Sequence, residues 1–180
     1  MPIEGHKQDR LWLAWPSSGY TLGETAAEIE EARTTWAAVA NAASEFQPVT
    51  VVVNPGDEAV AKRYLAGSIT LLSAPLNDAW MRDIGPSFVI GDDGKLGAVN
   101  FVFNGWGAQD WAEWDNDQHI GRIVAEAAGA TLINSDMGKE GGGMQGDGTG
   151  HVALTETVQL DPGRNPGMTK QQVEAELNRT

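Results

Sequence analysis

The sequence predicts a mixed α/β fold, α+β in detail. Short β-branched runs alternate with segments of helical period along the 180 residues. Two S/T-x-x-E/Q capping boxes mark where helices begin. An Asp-Gly turn between two apolar runs marks a hairpin, which argues against a plain doubly wound parallel sheet.

Arg10–Trp15 is an apolar-aromatic run stopped by Pro16 and reads as a buried strand. Thr25 and Glu28 box the start of a helix, with Ile29, Ala32, Trp36, Val39 and Ala43 as its apolar stripe. Thr50–Val53 is a β-branched strand ended by Asn54-Pro55-Gly56. Asp57 is placed to cap a short helix through Leu65, and Ser68–Leu72 is the next strand. Ser87–Ile90 and Leu96–Phe103 flank Gly91-Asp92-Asp93-Gly94 as the two arms of the hairpin. Asp117–Ala128 has a helical stripe, and Thr131–Ile133 is a strand. The Gly-rich stretch 140–150 leads to the strand His151–Thr155. Asp161–Pro166 reads as a turn with no order of its own. Thr169 and Gln172 box a last helix that carries Val173 and Leu177. Trp12, Trp15 and Trp36 are expected in the core.

The hydrophobic fraction is 41% and the charged fraction 21%, as in a globular domain. With 25 acidic against 12 basic residues the net charge is −13, which disfavours nucleic acid and anionic membrane surfaces as partners. No apolar run approaches the ~20 residues of a membrane span, and the N-terminus does not read as a signal peptide, so a cytoplasmic location is expected. The absence of cysteine rules out disulfides and thiolate metal sites within these residues. His6, His119 and His151 lack metal-ligand spacing, and Asp115, Asp117 and Glu126 lack the inner residues of a calcium loop. No metal site is expected.

The chemistry concentrates in Asn77-Asp78-Ala79-Trp80-Met81-Arg82-Asp83-Ile84-Gly85-Pro86 and in Glu140-Gly141-Gly142-Gly143. A carboxylate meets a planar guanidinium with parallel hydrogen bonds, and an indole face attracts it. Asp83 and Glu140 are the carboxylates to place around such a cation, with Trp80 as a wall. Each has a plainer reading: Asp83 pairing with Arg82, Glu140 as a loop carboxylate, Trp80 as core, Asp78 as a turn stabiliser.

These strings resemble the agmatine deiminase and bacterial peptidyl-arginine deiminase family, guanidine hydrolases of the pentein fold. Met1-Pro2 with Trp12–Pro16, then Phe101–Gly107 with Trp114-Asp115, then Glu140–Glu156 and Asn165-Pro166 extend the resemblance in order along nearly the whole chain. It implies a pentein-type α/β propeller, present as an incomplete N-terminal portion of a single deiminase domain. It implies a hydrolase converting agmatine and water to N-carbamoylputrescine and ammonia, toward putrescine, with peptidyl-arginine as the alternative substrate. Glu140 matches the catalytic glutamate, and Asp83 and Trp80 match substrate-binding positions. No cofactor is implied. The family's cysteine nucleophile and its Gly-His-x-Asp histidine fall beyond residue 180. Gly150-His151-Val152-Ala153 imitates that second motif without its aspartate, so His151 reads as strand or surface. The expected partners are a small cationic guanidino substrate and a missing C-terminal half. Homo-oligomerisation is left open, and the chain alone is expected to be inactive. A different class of function, a non-catalytic guanidine-binding or assembly module, would use the same carboxylates without a thiol.

Overall fold

The computed structural model describes residues 1–180. It divides into two compact units, the first made of Lys7–Met81 and Glu113–Asp117, the second of Met1–His6, Arg82–Ala112 and Gln118–Thr180.

In the first unit β1 (Leu11–Ala14), β2 (Val49–Val53) and β3 (Thr70–Ser73) form a parallel sheet in the order β1-β2-β3. Every residue of β2 is buried, as expected of a valine run at the centre of a covered parallel sheet. Each fully buried valine contributes on the order of 1.5–3 kcal/mol of apolar transfer. Parallel pairing needs a crossover, and the helix Ala26–Ser44 supplies the one from β1 to β2. Its Thr25–Glu28 capping box forms as predicted. The buried face is Ala32, Ala37 and Ala40, whereas Val39, expected in the stripe, is 55% exposed. Of the three tryptophans expected in the core, Trp15 is fully buried and packs on Tyr64 at 5.8 Å, while Trp12 and Trp36 are half-buried. The helix expected from Asp57 to Leu65 is shorter, Glu58–Ala61, and Asp57 makes no side-chain cap. Glu58, the first helical residue, turns its carboxylate outward from the helix, accepting from the Gly56 N–H at 2.9 Å and the Ser73 hydroxyl at 2.7 Å.

In the second unit β4 (Ser87–Ile90) pairs antiparallel with β5 (Leu96–Val102), and β5 pairs parallel with β6 (Thr131–Gly138). The hairpin turns at Gly94, whose φ of 77° suits glycine. The helix Ile120–Ala127 connects β5 to β6. It lies so close to β5 that a Cβ on Gly121 would come within 2.2 Å of Asn100 Oδ1.

Three expectations are corrected here. The strand expected at Thr131–Ile133 runs on to Gly138, because β5 continues to pair it past a register shift between Asn100 and Val102. The Gly-rich stretch holds a second hairpin, β7 (Met144–Gly146) with β8 (Val152–Leu154), rather than a single strand after a loop. Asp161–Pro166 is ordered: Asn165 is buried, accepts from the Gly138 N–H at 2.7 Å, and donates to the carbonyls of Gly138 and Gln159. Backbone groups on a strand end needed partners, and this turn supplies them. The last helix, Lys170–Arg179, buries Val173 and docks on β6 through Ser135–Glu176 and Arg179–Asn134 bonds of 2.6 and 2.8 Å. None of the three sheets closes on itself. No helix is long and apolar enough to cross a membrane.

Candidate functional site

The two chemical strings meet in the second unit. The short helix Met81–Ile84 carries Asp83, and β6 delivers Lys139 and Glu140 just past its end. Gly141 must be glycine, since a Cβ there would lie 2.1 Å from the Arg82 carbonyl oxygen. That close approach sets the Gly141–Gly143 turn against Asp83, whose Oδ1 accepts the Gly142 N–H at 3.2 Å. Arg82 pairs with Glu4, so its ion pair is not with Asp83.

The other oxygen of Asp83 accepts the indole N–H of Trp106 at 3.1 Å. Trp106 sits in a one-turn helix, Gly105–Ala108, in which all four φ angles are positive: 65°, 58°, 89° and 58°. The turn therefore winds left-handed, at a cost on the order of 1–2 kcal/mol for each residue with a side chain. Glycine serves at two positions, but Trp106 and Ala108 hold this conformation against their own sterics. Asn104 offsets part of the cost by accepting the Gly107 N–H at 3.0 Å and donating to the Gly163 carbonyl at 2.9 Å. Phe103 meets the Trp106 ring edge-on at 5.0 Å, and Trp111 stacks on it at 5.2 Å.

Glu140 is buried, and both its oxygens accept from Nε of Arg164, at 2.9 and 3.0 Å. Arg164 Nη1 lies 3.6 Å from Asp161. Lys139 is buried as well. It donates to Ser87 Oγ at 3.3 Å and stands 4.1 Å over the Phe101 ring. Burial lowers its pKa to about 8; the charge of Arg82 adds to the drop, and Glu140 and Asp83 oppose it.

Trp80 belongs to the first unit, where it is 38% exposed and packs edge-on to Trp36 at 5.9 Å. Just before it, Asn77 and Asp78 are held by a reciprocal clasp. The Asp117 carboxylate accepts the N–H of Asn77 at 2.8 Å and of Asp78 at 3.1 Å, and Asn77 Oδ1 accepts those of Asn116 and Asp117. Burial raises the Asp117 pKa to about 6 against the lowering effect of those two N–H groups. Asp78 accepts from the Thr21 and Ala79 N–H groups, the turn-stabilising role open to it from sequence. His151 is exposed and bonds Asp147 at 3.0 Å.

Asp83 and Glu140 are thus brought into one cluster. Sequence reasoning missed three members of it: Trp106, Lys139 and Arg164. The glycines flanking Trp106 were the one available signal of a special backbone there. Nothing local marked Arg164, because its partner lies 24 residues away. Chemically, Asp83 is an anion whose hydrogen-bond donors are both uncharged. It keeps acceptor capacity for a cationic ligand beside a wall of indoles.

The model of the Porphyromonas-type peptidyl-arginine deiminase family matches residues 1–180. The chain belongs to that family. A Streptomyces coelicolor protein provisionally named an agmatine deiminase is 49% identical over 99% of this deiminase-family chain and 52% of its own length. The solved agmatine deiminase of Enterococcus faecalis is 35% identical, with a TM-score of 0.88 over 98% of the chain and 49% of its own. The substrate-bound C315S agmatine deiminase of C. jejuni, 23% identical with a TM-score of 0.83, shares the fold. The chain spans about half the length of the curated relatives it matches.

Proposed function

We propose that these residues form the guanidinium-holding part of an agmatine deiminase-type hydrolase. Asp83 binds the substrate, and Glu140 acts at the reacting guanidinium. The reaction consumes agmatine and water and yields N-carbamoylputrescine and ammonia. A cysteine thiolate in polypeptide outside these 180 residues attacks the guanidinium carbon, ammonia leaves, and water then releases the ureido product. The fragment belongs to a propeller that the second half closes, and it is inactive without that half.

The observation that carries this reading is the convergence of Asp83 and Glu140, with Asp83 hydrogen-bonded only by uncharged donors. A carboxylate so placed favours a cation without a competing ion pair. The agmatine deiminases among the relatives favour agmatine. The family description supports peptidyl-arginine as the second reading.

Calorimetry of this chain with agmatine, putrescine and a blocked arginine peptide tests the proposal. Putrescine shares the aminobutyl chain but lacks the guanidinium. Agmatine should bind at least about tenfold tighter than putrescine, and Asp83→Asn should remove at least about 1.4 kcal/mol of that binding. Equal affinity for the two amines, or an indifferent Asp83→Asn variant, overturns it. Tighter binding of the peptide than of agmatine decides for peptidyl-arginine. Joining the chain to the second half of the S. coelicolor relative should restore ammonia release, and a folded but inert assembly would leave a binding module only.

A further inference from the structure

Glu140, the carboxylate assigned to the reacting guanidinium, already holds a guanidinium, that of Arg164. Two roles fit such a contact. Arg164 is either a pseudo-substrate that a ligand displaces, or a fixture that holds the carboxylate in place.

We infer that Arg164 is a fixture: a positioning residue that orients Glu140 toward the substrate and stays in place when substrate binds. The inference rests on the function proposed above, and the grip on Arg164 carries it. Its N–H is held by Asp161, through the carbonyl at 3.1 Å and the side chain at 2.9 Å. Its own carbonyl is pressed against Gly138, where a Cβ would come within 2.8 Å. The next residue, Asn165, is buried and ties Gly138 to Gln159. On the other side, a Cβ on Gly107 would lie 3.2 Å from Arg164 Nη1 and 3.4 Å from Cγ, so the left-handed turn packs directly on the side chain. The Arg164 side chain is only 14% exposed and that of Glu140 7%. A pseudo-substrate leaves easily; this side chain is enclosed by two ordered loops and the end of a strand.

The bond itself leaves room for a ligand. Arg164 offers one N–H, from Nε, shared between the two oxygens of Glu140. Each carboxylate oxygen accepts more than one donor, so Glu140 can receive a second guanidinium without releasing the first. Arg164 offsets the charge of Glu140, whereas Asp83 has uncharged donors. The labour divides accordingly: Asp83 supplies attraction and Glu140 supplies direction. The left-handed turn serves both, since it carries Trp106 to Asp83 and packs Gly107 on Arg164.

The side-chain Nε–H resonance of Arg164 in ¹⁵N-labelled chain tests this. A fixture gives a signal that exchanges slowly with water, moves in Glu140→Gln, and persists when agmatine saturates the chain. Loss of that signal on saturation makes Arg164 a pseudo-substrate and overturns the inference. Affinity is the second readout. Arg164→Gln should bind agmatine about tenfold more weakly, and Arg164→Lys, which keeps the charge without the planar Nε–H, should recover only part of this. Affinity is measured below each variant's melting temperature, so a role confined to stability would lower that temperature and leave the folded chain's affinity unchanged. Wild-type affinity in a folded Arg164→Gln variant also overturns the inference. Failure of wild type to bind agmatine, or no effect of Asp83→Asn, defeats the functional reading instead. The Nε–H signal then decides alone whether Arg164 grips Glu140.

Discussion

Two carboxylate-centred regions grow from the same stretch of chain, residues 77–83, and they are built differently. In the first unit Asp117 grips the backbone of Asn77 and Asp78, is 1% exposed, and is enclosed by the segment it holds. In the second unit Asp83 accepts one backbone N–H and one indole N–H and is only partly buried. Asp117 is satisfied by the peptide groups of a loop and shut off from solvent. Asp83 is held by a strained turn and a glycine turn, and keeps acceptor positions to spare. A buried acid is therefore no marker of a ligand site by itself. The difference lies in who the donors are and whether a further donor can approach.

The largest effect that would break this contrast is on folding. Asp117→Ala leaves two buried N–H groups without an acceptor and should cost about 2–4 kcal/mol by urea unfolding. A loss below about 1 kcal/mol would mean that the clasp is ornamental.

The pH dependence of the same group comes next. Its pKa is raised on folding from 3.8 to about 6, so the folded chain holds the proton more tightly than the unfolded one. Stability from this group is present below about pH 4, falls as the pH rises to about 6, and is level above, for a total of at most about 3 kcal/mol. The fall should be absent from Asp117→Asn and so appear in full in the stability difference between wild type and that variant. A difference that does not change with pH would refute the assigned titration.

A smaller change sharpens the other side. Gly107 has a φ of 89°, and a Cβ there would meet Asp161 Oδ1 at 3.0 Å and Arg164 Nη1 at 3.2 Å. Gly107→Ala should destabilise by about 1–2 kcal/mol and weaken agmatine binding at the same time. Lost stability with intact binding would uncouple the left-handed turn from the site.

The smallest effect is at Lys139, a buried cation in the field of Asp83 and Glu140. Lys139→Met removes a desolvated charge of the same sign as the substrate. Agmatine should bind about two- to threefold tighter, less than 1 kcal/mol, with little change in melting temperature. Weaker binding would make Lys139 a supporting member of the site rather than a brake on it.

Local chemistry made much of this legible in advance. The Thr25–Glu28 and Thr169–Gln172 boxes, the valine run of β2 and the Gly91–Gly94 hairpin each depend on neighbours a few residues apart, and each formed as read. Asp83 and Glu140 stood out by residue type and by the resemblance of their strings. Arg164 did not, since Asp161–Pro166 contains nothing but turn formers around it. Its order comes from Gly138, Gln159 and Glu140, which the chain brings to it only after folding. Trp106 was visible as an aromatic but not as the donor to Asp83, because a left-handed turn at a tryptophan is contrary to its own preference. Contacts distant in the chain, the loop that carries Gly163 and Arg164 and the Asp83 carboxylate, hold it there.

By itself, then, the sequence determined the alternating elements, their two capping boxes, the acidic balance and the two carboxylates, because these follow from periodicity, local hydrogen bonding and residue chemistry. Tertiary structure alone decided which carboxylate receives a resident arginine, which receives an indole and which is sealed around a loop. Those outcomes depend on donors distant in the chain, and a donor's direction exists only once the backbone around it has been fixed.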